Sequence, residues 1–461
     1  MKGSIKYLVG GALILLGLAL FLGMISSFAF LYPQWFNKSL SLQQLRPMHV
    51  SAAIFWIVSG ATAGILHFKR EVFRAKGGEV AGKAFIWLWF GSIVGVFVFY
   101  CFRKFGGREY WEFPPLLGLP ILAAWLYLMC SYYQSWKRRT KNPPLFVWMW
   151  TTGIVFFFLT FLEQNLYQVA WFRQSFLRDI TVQWKSNGAM VGAWNQMIYG
   201  TSLYIMVRIS GSEAAARSKK AIFFFFLGVT NLMFNWGHHI YNVPTASWIR
   251  HVSYAISMTE WIILVSIIRD FKHTLAEQRR YQYLVSYRFL IYSEKWILLN
   301  LALALLMSIP AINAFTHGTH ITVAHAMGAT IGINTMILLS SLGYMLQIDK
   351  LPQRRQERIN TALRATHICL LIFWLALIVA GAMKGYRETI LGIKDFRQLM
   401  EPVLIVLHVF AIAGIGLFIS VSGIIYQYFR ALYWDNSGSM NTTSIETIKP
   451  DARRTPKGIR L

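Results

Sequence analysis

The chain has 461 residues, 56% of them apolar and only 14% charged, whereas an ordinary soluble domain carries about 25% charged residues. Its formal charge is +26 and its aromatic share is 16%, with 18 Trp. That composition excludes a soluble enzyme and a disordered protein. Three scattered cysteines (Cys101, Cys130, Cys369) exclude a disulfide framework and a thiolate metal cluster. What remains is an all-α integral membrane protein.

An apolar helix needs roughly 20 residues to cross the hydrocarbon core. Twelve such runs follow one another, centred near Leu16, Phe55, Ile93, Ala123, Ile154, Met197, Phe226, Ile262, Leu305, Gly332, Leu375 and Ala413. Pro33, Pro47, Pro114, Pro144 and Pro310 fall near their ends, where proline is least disruptive. The first run is too long for a cleavable signal and has no small-residue cleavage site after it. The spacing predicts one transmembrane domain over residues 1–430 and a basic cytoplasmic tail over 431–461.

Of the 45 Lys and Arg residues, 32 fall in the N-terminus, the loops after even-numbered spans and the C-terminal tail; 13 fall in the loops after odd-numbered spans. Positive charge marks the cytoplasmic face, which puts both termini inside, as expected of a bacterial inner-membrane protein. The basic balance therefore reflects topology and attraction to anionic lipid rather than nucleic-acid binding, clusters such as Lys137-Arg138-Arg139 included.

On this topology six of the eleven histidines collect in the outer third of the bilayer. His49 opens the second span, His238 and His239 end the seventh, and His317, His320 and His325 begin the tenth. Histidine inside a membrane is costly, and neutral imidazole is a ligand for metals and for haem iron. Each ring could instead be hydrogen-bonded within the bundle. Adjacent rings on a regular helix point about 100° apart, so His238 and His239 can share one metal only where the backbone departs from a helix, and Gly237 precedes them.

Leu45-Arg46-Pro47-Met48-His49 resembles the low-spin haem motif of the large subunit of cytochrome c-dependent nitric oxide reductases. Gly107-Arg108-Glu109-Tyr110 with Glu112 resembles that family's external acidic loop, and Gly237-His238-His239 with Tyr241 its paired iron ligands. Thr316-His317-Gly318-Thr319, then Ala324-His325, resembles its tenth-span haem motif. These resemblances keep the same order across nearly the whole chain. They imply a twelve-transmembrane-helix bundle of the haem–copper oxidase type, with a low-spin haem b, a high-spin haem b, a non-haem iron and a calcium ion, all toward the outer side. Carried over, His49 binds the low-spin haem, with Arg46 and His317 in the haem-binding motifs. His325 binds the high-spin haem, His238 and His239 the non-haem iron, and Glu109 with Glu112 the calcium. The implied partner is a membrane-anchored cytochrome c subunit, and the implied substrate is NO.

The departures are specific. The second low-spin haem ligand falls on Met327, whose thioether can bind haem iron. In the sixth span Asn187 or Gly188 stands at the third iron histidine, and Val191 or Gly192 at the first of two glutamates. Asn187 is then a weak oxygen ligand, and Glu260, two residues beyond the expected acid near Met258, is the carboxylate left in mid-span. No line of acids leads in from the cytoplasm, which argues against a proton pump. Tyr199 lacks the preceding histidine that an oxygen reductase of this superfamily uses, which disfavours oxygen reduction. Three functions remain open: a divergent NO reductase, an NO dismutase yielding N2 and O2, and a non-catalytic haem electron-transfer subunit.

The charge asymmetry makes a direct prediction. A cysteine introduced beyond Phe429 should stay unlabelled by an impermeant thiol reagent in intact cells; ready labelling from outside would reverse the topology.

Overall fold

A computed structural model describes residues 3–36, 40–73, 79–139, 141–256 and 259–434. Among these no β-strand forms, as expected where each backbone amide must be satisfied within its own segment. The long helices are α1 (Gly3–Leu31), α2 (Leu42–Val72), α3 (Glu79–Cys101), α4 (Gly118–Trp136), α5 (Leu145–Gln164), α6 (Phe176–Ser210) and α7 (Lys219–Phe234). They continue with α8 (Ser247–Ile256 and Thr259–Thr274, residues 257–258 lying outside the described residues), α9 (Leu284–Ser308), α10 (His320–Leu346), α11 (Gln353–Thr389) and α12 (Phe396–Tyr433). Helix α12 runs past the expected boundary at residue 430, and residues 435–461 of the expected tail lie outside the described residues.

Ten of these helices are long and apolar enough to cross a membrane by themselves. The other two, α6 and α7, complete the twelve-helix arrangement for identifiable reasons. Helix α6 has 35 residues, but its N-terminal half carries Arg178, Asp179, Lys185 and Asn187. Helix α7 has only 16 residues and is prolonged by a 3-10 segment, Asn235–Ile240. At 1.5 and 2.0 Å per residue the two pieces together reach about 36 Å, enough to span.

The most intimate neighbours are α11 with α12, α1 with α2, and α5 with α6. With no water to drive apolar surfaces together inside a bilayer, close helix approach rests on small residues. At Gly153 of α5 a Cβ would stand 2.5 Å from Met197 Cγ and 2.6 Å from the Ala193 carbonyl of α6. At Gly192 of α6 it would stand 2.7 Å from Cβ and 2.8 Å from Cα of Leu232 on α7. Helix α6 ends at Gly211, whose φ of +75° lets its N–H bond back to the Val207 carbonyl at 2.9 Å. Helix α10 is not uniform: residues Gly328–Thr335 form a π-helical segment, and the Thr335 hydroxyl donates to the Thr330 carbonyl at 2.8 Å.

Because Gly192 meets backbone as well as side chain on α7, Gly192→Leu should force α6 and α7 apart. The expected cost is about 1–3 kcal/mol, read as a lower thermal midpoint. An unchanged midpoint would show that α6 and α7 are not closely packed here.

Candidate functional site

Three spans bring the candidate ligands together. His49 lies eight residues after the N-terminal cap of α2, at Ser41, just past Pro47 in the early turns of the helix. Its Nδ1 lies 2.8 Å from the Ala19 carbonyl of α1, so it donates there. The ring is held against Gly23, where a Cβ would stand 2.8 Å from its Cε1. A donor engaged on one ring nitrogen fixes the tautomer and leaves Nε2 as the open ligand atom.

His325 and Met327 lie at the end of the α-helical start of α10, immediately before the π segment. Two residues apart on a helix, they point to opposite sides of α10. Nδ1 of His325 is buried with no hydrogen-bond partner among the described residues, and the His325 carbonyl accepts from Asn300 Nδ2 of α9 at 3.0 Å. Further in, Trp56 of α2 donates to the Thr335 hydroxyl of α10 at 3.0 Å. Helices α2 and α10 run in the same direction, so this contact sets His49 and Met327 at matching depth, each about two turns N-terminal to it.

His238 and His239 sit on the 3-10 segment after α7, their ring centroids 4.1 Å apart at 37°. His238 Nδ1 is paired with Asn235 Oδ1 at 3.0 Å, and the His239 ring stacks on Trp184 of α6 at 4.6 Å and 10°. His317 and His325 lie within electrostatic reach of both rings. Gly237 serves close approach rather than unusual dihedrals: a Cβ there would stand 2.7 Å from Ile249 Cγ2 of α8. His317 is exposed between a short helix and α10, and His320 meets Phe30 of α1 edge-on at 6.1 Å.

The sixth-span residues divide by face. Gly188 faces the histidine segment, where a Cβ would stand 2.6 Å from Trp236 Cβ. Asn187 is turned about 100° away. Its Oδ1 accepts from Gln164 of α5, and its Nδ2 donates to the Glu109 carbonyl at 3.5 Å. The structure thus places Asn187 with the loop that carries Glu109 rather than with His238 and His239. Among the described residues no group of three or more His, Cys, Asp or Glu side chains is placed to hold a metal.

Glu260 is buried in α8 beside Gln196 of α6, opposite Gly228. The next residue, Trp261, donates to the Tyr199 hydroxyl at 2.9 Å and lies 6.1 Å from the His325 ring, centroid to centroid. Glu260 therefore belongs to a polar group on the His325 side of the bundle. Met258 lies outside the described residues.

The expected calcium acids have another partner. Arg46 donates to Glu109 at 2.7 Å and to Glu112 at 3.0 Å, so a guanidinium stands between the two carboxylates. Arranged this way the pair does not offer a calcium site. Three residues on from Arg46 is His49, so this bridge ties the outer loop to the turn that carries a candidate haem ligand. Sequence reasoning missed Trp184, Asn235 and Asn300. Only Asn235, three residues before His238 on the same helical stretch, had a spacing that could have announced it.

The fold is that of a haem–copper oxidase. A solved structure of a haem–copper terminal oxidase dimer superposes with a TM-score of 0.72 at 15% identity, covering 94% of this chain and 85% of that one. The chain belongs to the family described as cytochrome c and quinol oxidase polypeptide I, whose profile matches residues 4–431. Cytochrome c oxidase subunit 1 of Rhodobacter capsulatus is 22% identical over 324 residues, 67% of this chain. The chain spans 60% of that relative's length. Family members are multi-pass membrane oxidoreductases that normally bind haems and a metal centre and associate with other subunits.

The donors fit two haems, since His49 has one nitrogen engaged and one open, and His325 has an orphaned buried nitrogen. For the second metal the donor set is incomplete: two imidazoles are present, and a glycine stands where a third donor would come from α6.

Glu112 lies in the loop outside the spans. Burial pushes its carboxyl up to about 7, against the opposing pull of Arg46 and with a smaller push from Glu109. A folded-state value above the ordinary 4.5 means that the native state binds the proton more readily. Stability from this group is therefore full below about pH 4.5 and is lost as pH rises through about 7. Glu112→Gln should flatten the thermal midpoint across that window. A wild-type midpoint that climbs through it would contradict the assignment.

Proposed function

We propose that this chain is the large, haem-bearing subunit of a divergent membrane oxidoreductase acting on NO, reducing two NO with two electrons and two protons to N2O and water. The observation that carries this reading is the His238–His239 pair on a 3-10 turn within electrostatic reach of His325 on another span. His49 and Met327 would hold a low-spin haem b, and His325 a high-spin haem b. His238 and His239 would hold a non-haem iron, loosely. When bound, the haems supply stored electrons and an open coordination position for the substrate.

The chain's own residues orient and protonate. Ala19 and Asn235 each fix one nitrogen of a candidate ligand, and Trp184 holds the His239 ring by stacking. Glu260, beside Gln196 and one residue from Trp261, is the carboxyl in reach of the His325 side that can hold a proton. Neither Val191 nor Gly192 can do so, so proton supply to NO reduction is slow. Electrons would come from a membrane-anchored cytochrome c subunit. The protein would sit in a bacterial inner membrane with both termini cytoplasmic and the haems toward the outer side.

The incomplete donor set favours a second reading, a haem-carrying electron-transfer subunit without catalysis. An NO dismutase, which needs no net protons, is distinguished by its product. The test supplies purified protein with a reductant and isotopically labelled NO, alongside metal analysis and an optical spectrum. Slow N2O release, abolished in His325→Ala, is expected. N2 without N2O would overturn reduction in favour of dismutation, and no gas with no second metal would leave the electron-transfer reading. Rapid stoichiometric N2O would refute the inferred need for the absent acids.

A further inference from the structure

A lateral groove of about 680 Å³ opens between α11 and α12 on the outside of the bundle, away from every candidate ligand. Its walls are small: Ala362, Ala365 and Cys369 on α11 face Gly416, Ser420 and Gly423 on α12. At Gly423 a Cβ would still stand 3.7 Å from Ala362, so space remains above the floor. At Gly416 it would stand 2.6 Å from Cys369 Sγ, which closes the far end.

Arg354 and Arg358 stand at the mouth, both exposed and neither in an ion pair with a described residue. The acid between them, Glu357, accepts from Gln353 at 2.9 Å. Their neighbour Arg355 turns inward and donates to Gln427 Oε1 of α12 at 2.9 Å, joining the two helices beneath the mouth. The rim thus carries one net positive charge over an apolar trough. From Arg358 to Cys369 is eleven residues, about 16 Å along the helix, or roughly half of the ~30 Å hydrocarbon core. The groove is therefore one leaflet deep, with its cationic end at the face that the Lys and Arg distribution marks as cytoplasmic, where anionic lipid is concentrated.

We propose that this groove is a binding site for one anionic phospholipid, its phosphodiester against Arg354 and Arg358 and one acyl chain lying along Ala362, Ala365 and Cys369. The chain's own tail is a poor occupant: after residue 434 it carries Lys449, Arg453, Arg454, Lys457 and Arg460 against three acids, and would be repelled by the same rim. An apolar helix from another copy would leave the guanidinium pair unanswered.

The test is native mass spectrometry of the full-length protein, released from detergent with added phosphatidylglycerol or phosphatidylcholine of identical acyl chains. One phosphatidylglycerol should be retained per chain in preference to phosphatidylcholine. The double variant Arg354→Gln/Arg358→Gln should lose that preference, by about thirtyfold in affinity. Ala365→Phe, which fills the trough and leaves the rim intact, should weaken retention of both lipids. An unaltered thermal midpoint in each variant checks that the fold is kept, and a variant that unfolds is replaced by Arg358→Gln alone, for which a smaller loss is expected. Equal retention of the two lipids by the wild type would overturn the proposal, as would a preference that survives loss of both arginines. Displacement of phosphatidylglycerol by inorganic phosphate alone would reduce the site to an anion contact. A dimer that Ala365→Phe dissociates, with lipid retention unchanged, would assign the groove to a second copy.

Discussion

Inside a bilayer a polar group cannot turn to water, so every one that enters must be answered by the protein or by something the protein holds. This constraint organises the candidate site. His49 gives Nδ1 to the Ala19 carbonyl, His238 pairs with Asn235, and on the far side of α9 His367 accepts from Trp296 at 2.8 Å. Each ring is thereby locked in one tautomer, with its other nitrogen directed elsewhere. Three buried ring nitrogens are left unanswered among the described residues, His320 Nδ1, His325 Nδ1 and His367 Nε2, and of these His325 Nδ1 belongs to the ring nearest the His238–His239 pair. An unanswered nitrogen alone does not define a site; at His325 it coincides with two more imidazoles on another span.

The same constraint explains how much was legible. Apolar runs of roughly 20 residues are hard to mistake, and the helices fall where those runs lie. The two spans that escape a test of length and apolarity, α6 and α7, are the ones that turn polar or irregular surface toward the site. In α6 a polar N-terminal half lightens the apolar signal, and α7 is short because its last turns are 3-10. His49, His238, His239 and His325 could be picked out because imidazole at membrane depth is rare. Partners such as Trp184 and Asn300 could not, because tryptophan and asparagine are ordinary residues until a neighbouring helix is in place.

Register was the weakest part of the reading. From spacing alone Asn187 and Gly188 are interchangeable, yet one faces the Glu109 carbonyl and the other Trp236. A helix turns about 100° per residue, so an uncertainty of one position is an uncertainty of face. The acidic loop shows a different difficulty. Two carboxylates near one another suggest a cation, and the structure supplies one, but it is the Arg46 guanidinium from the chain itself. The sequence showed the charge requirement without showing that Arg46, 63 residues before Glu109, already meets it.

The π segment of α10 has a bearing on how such a site can change. A stretch wound more loosely than an α-helix carries an extra residue, so everything on its outer side is rotated with respect to everything on its inner side. Here the inner side is pinned by Trp56 on Thr335, and the outer side bears His325 and Met327. Deleting one residue between Gly328 and Thr335 would rewind the segment and swing both ligands by about 100°, moving each out of its present compartment while leaving every side chain of the site chemically intact.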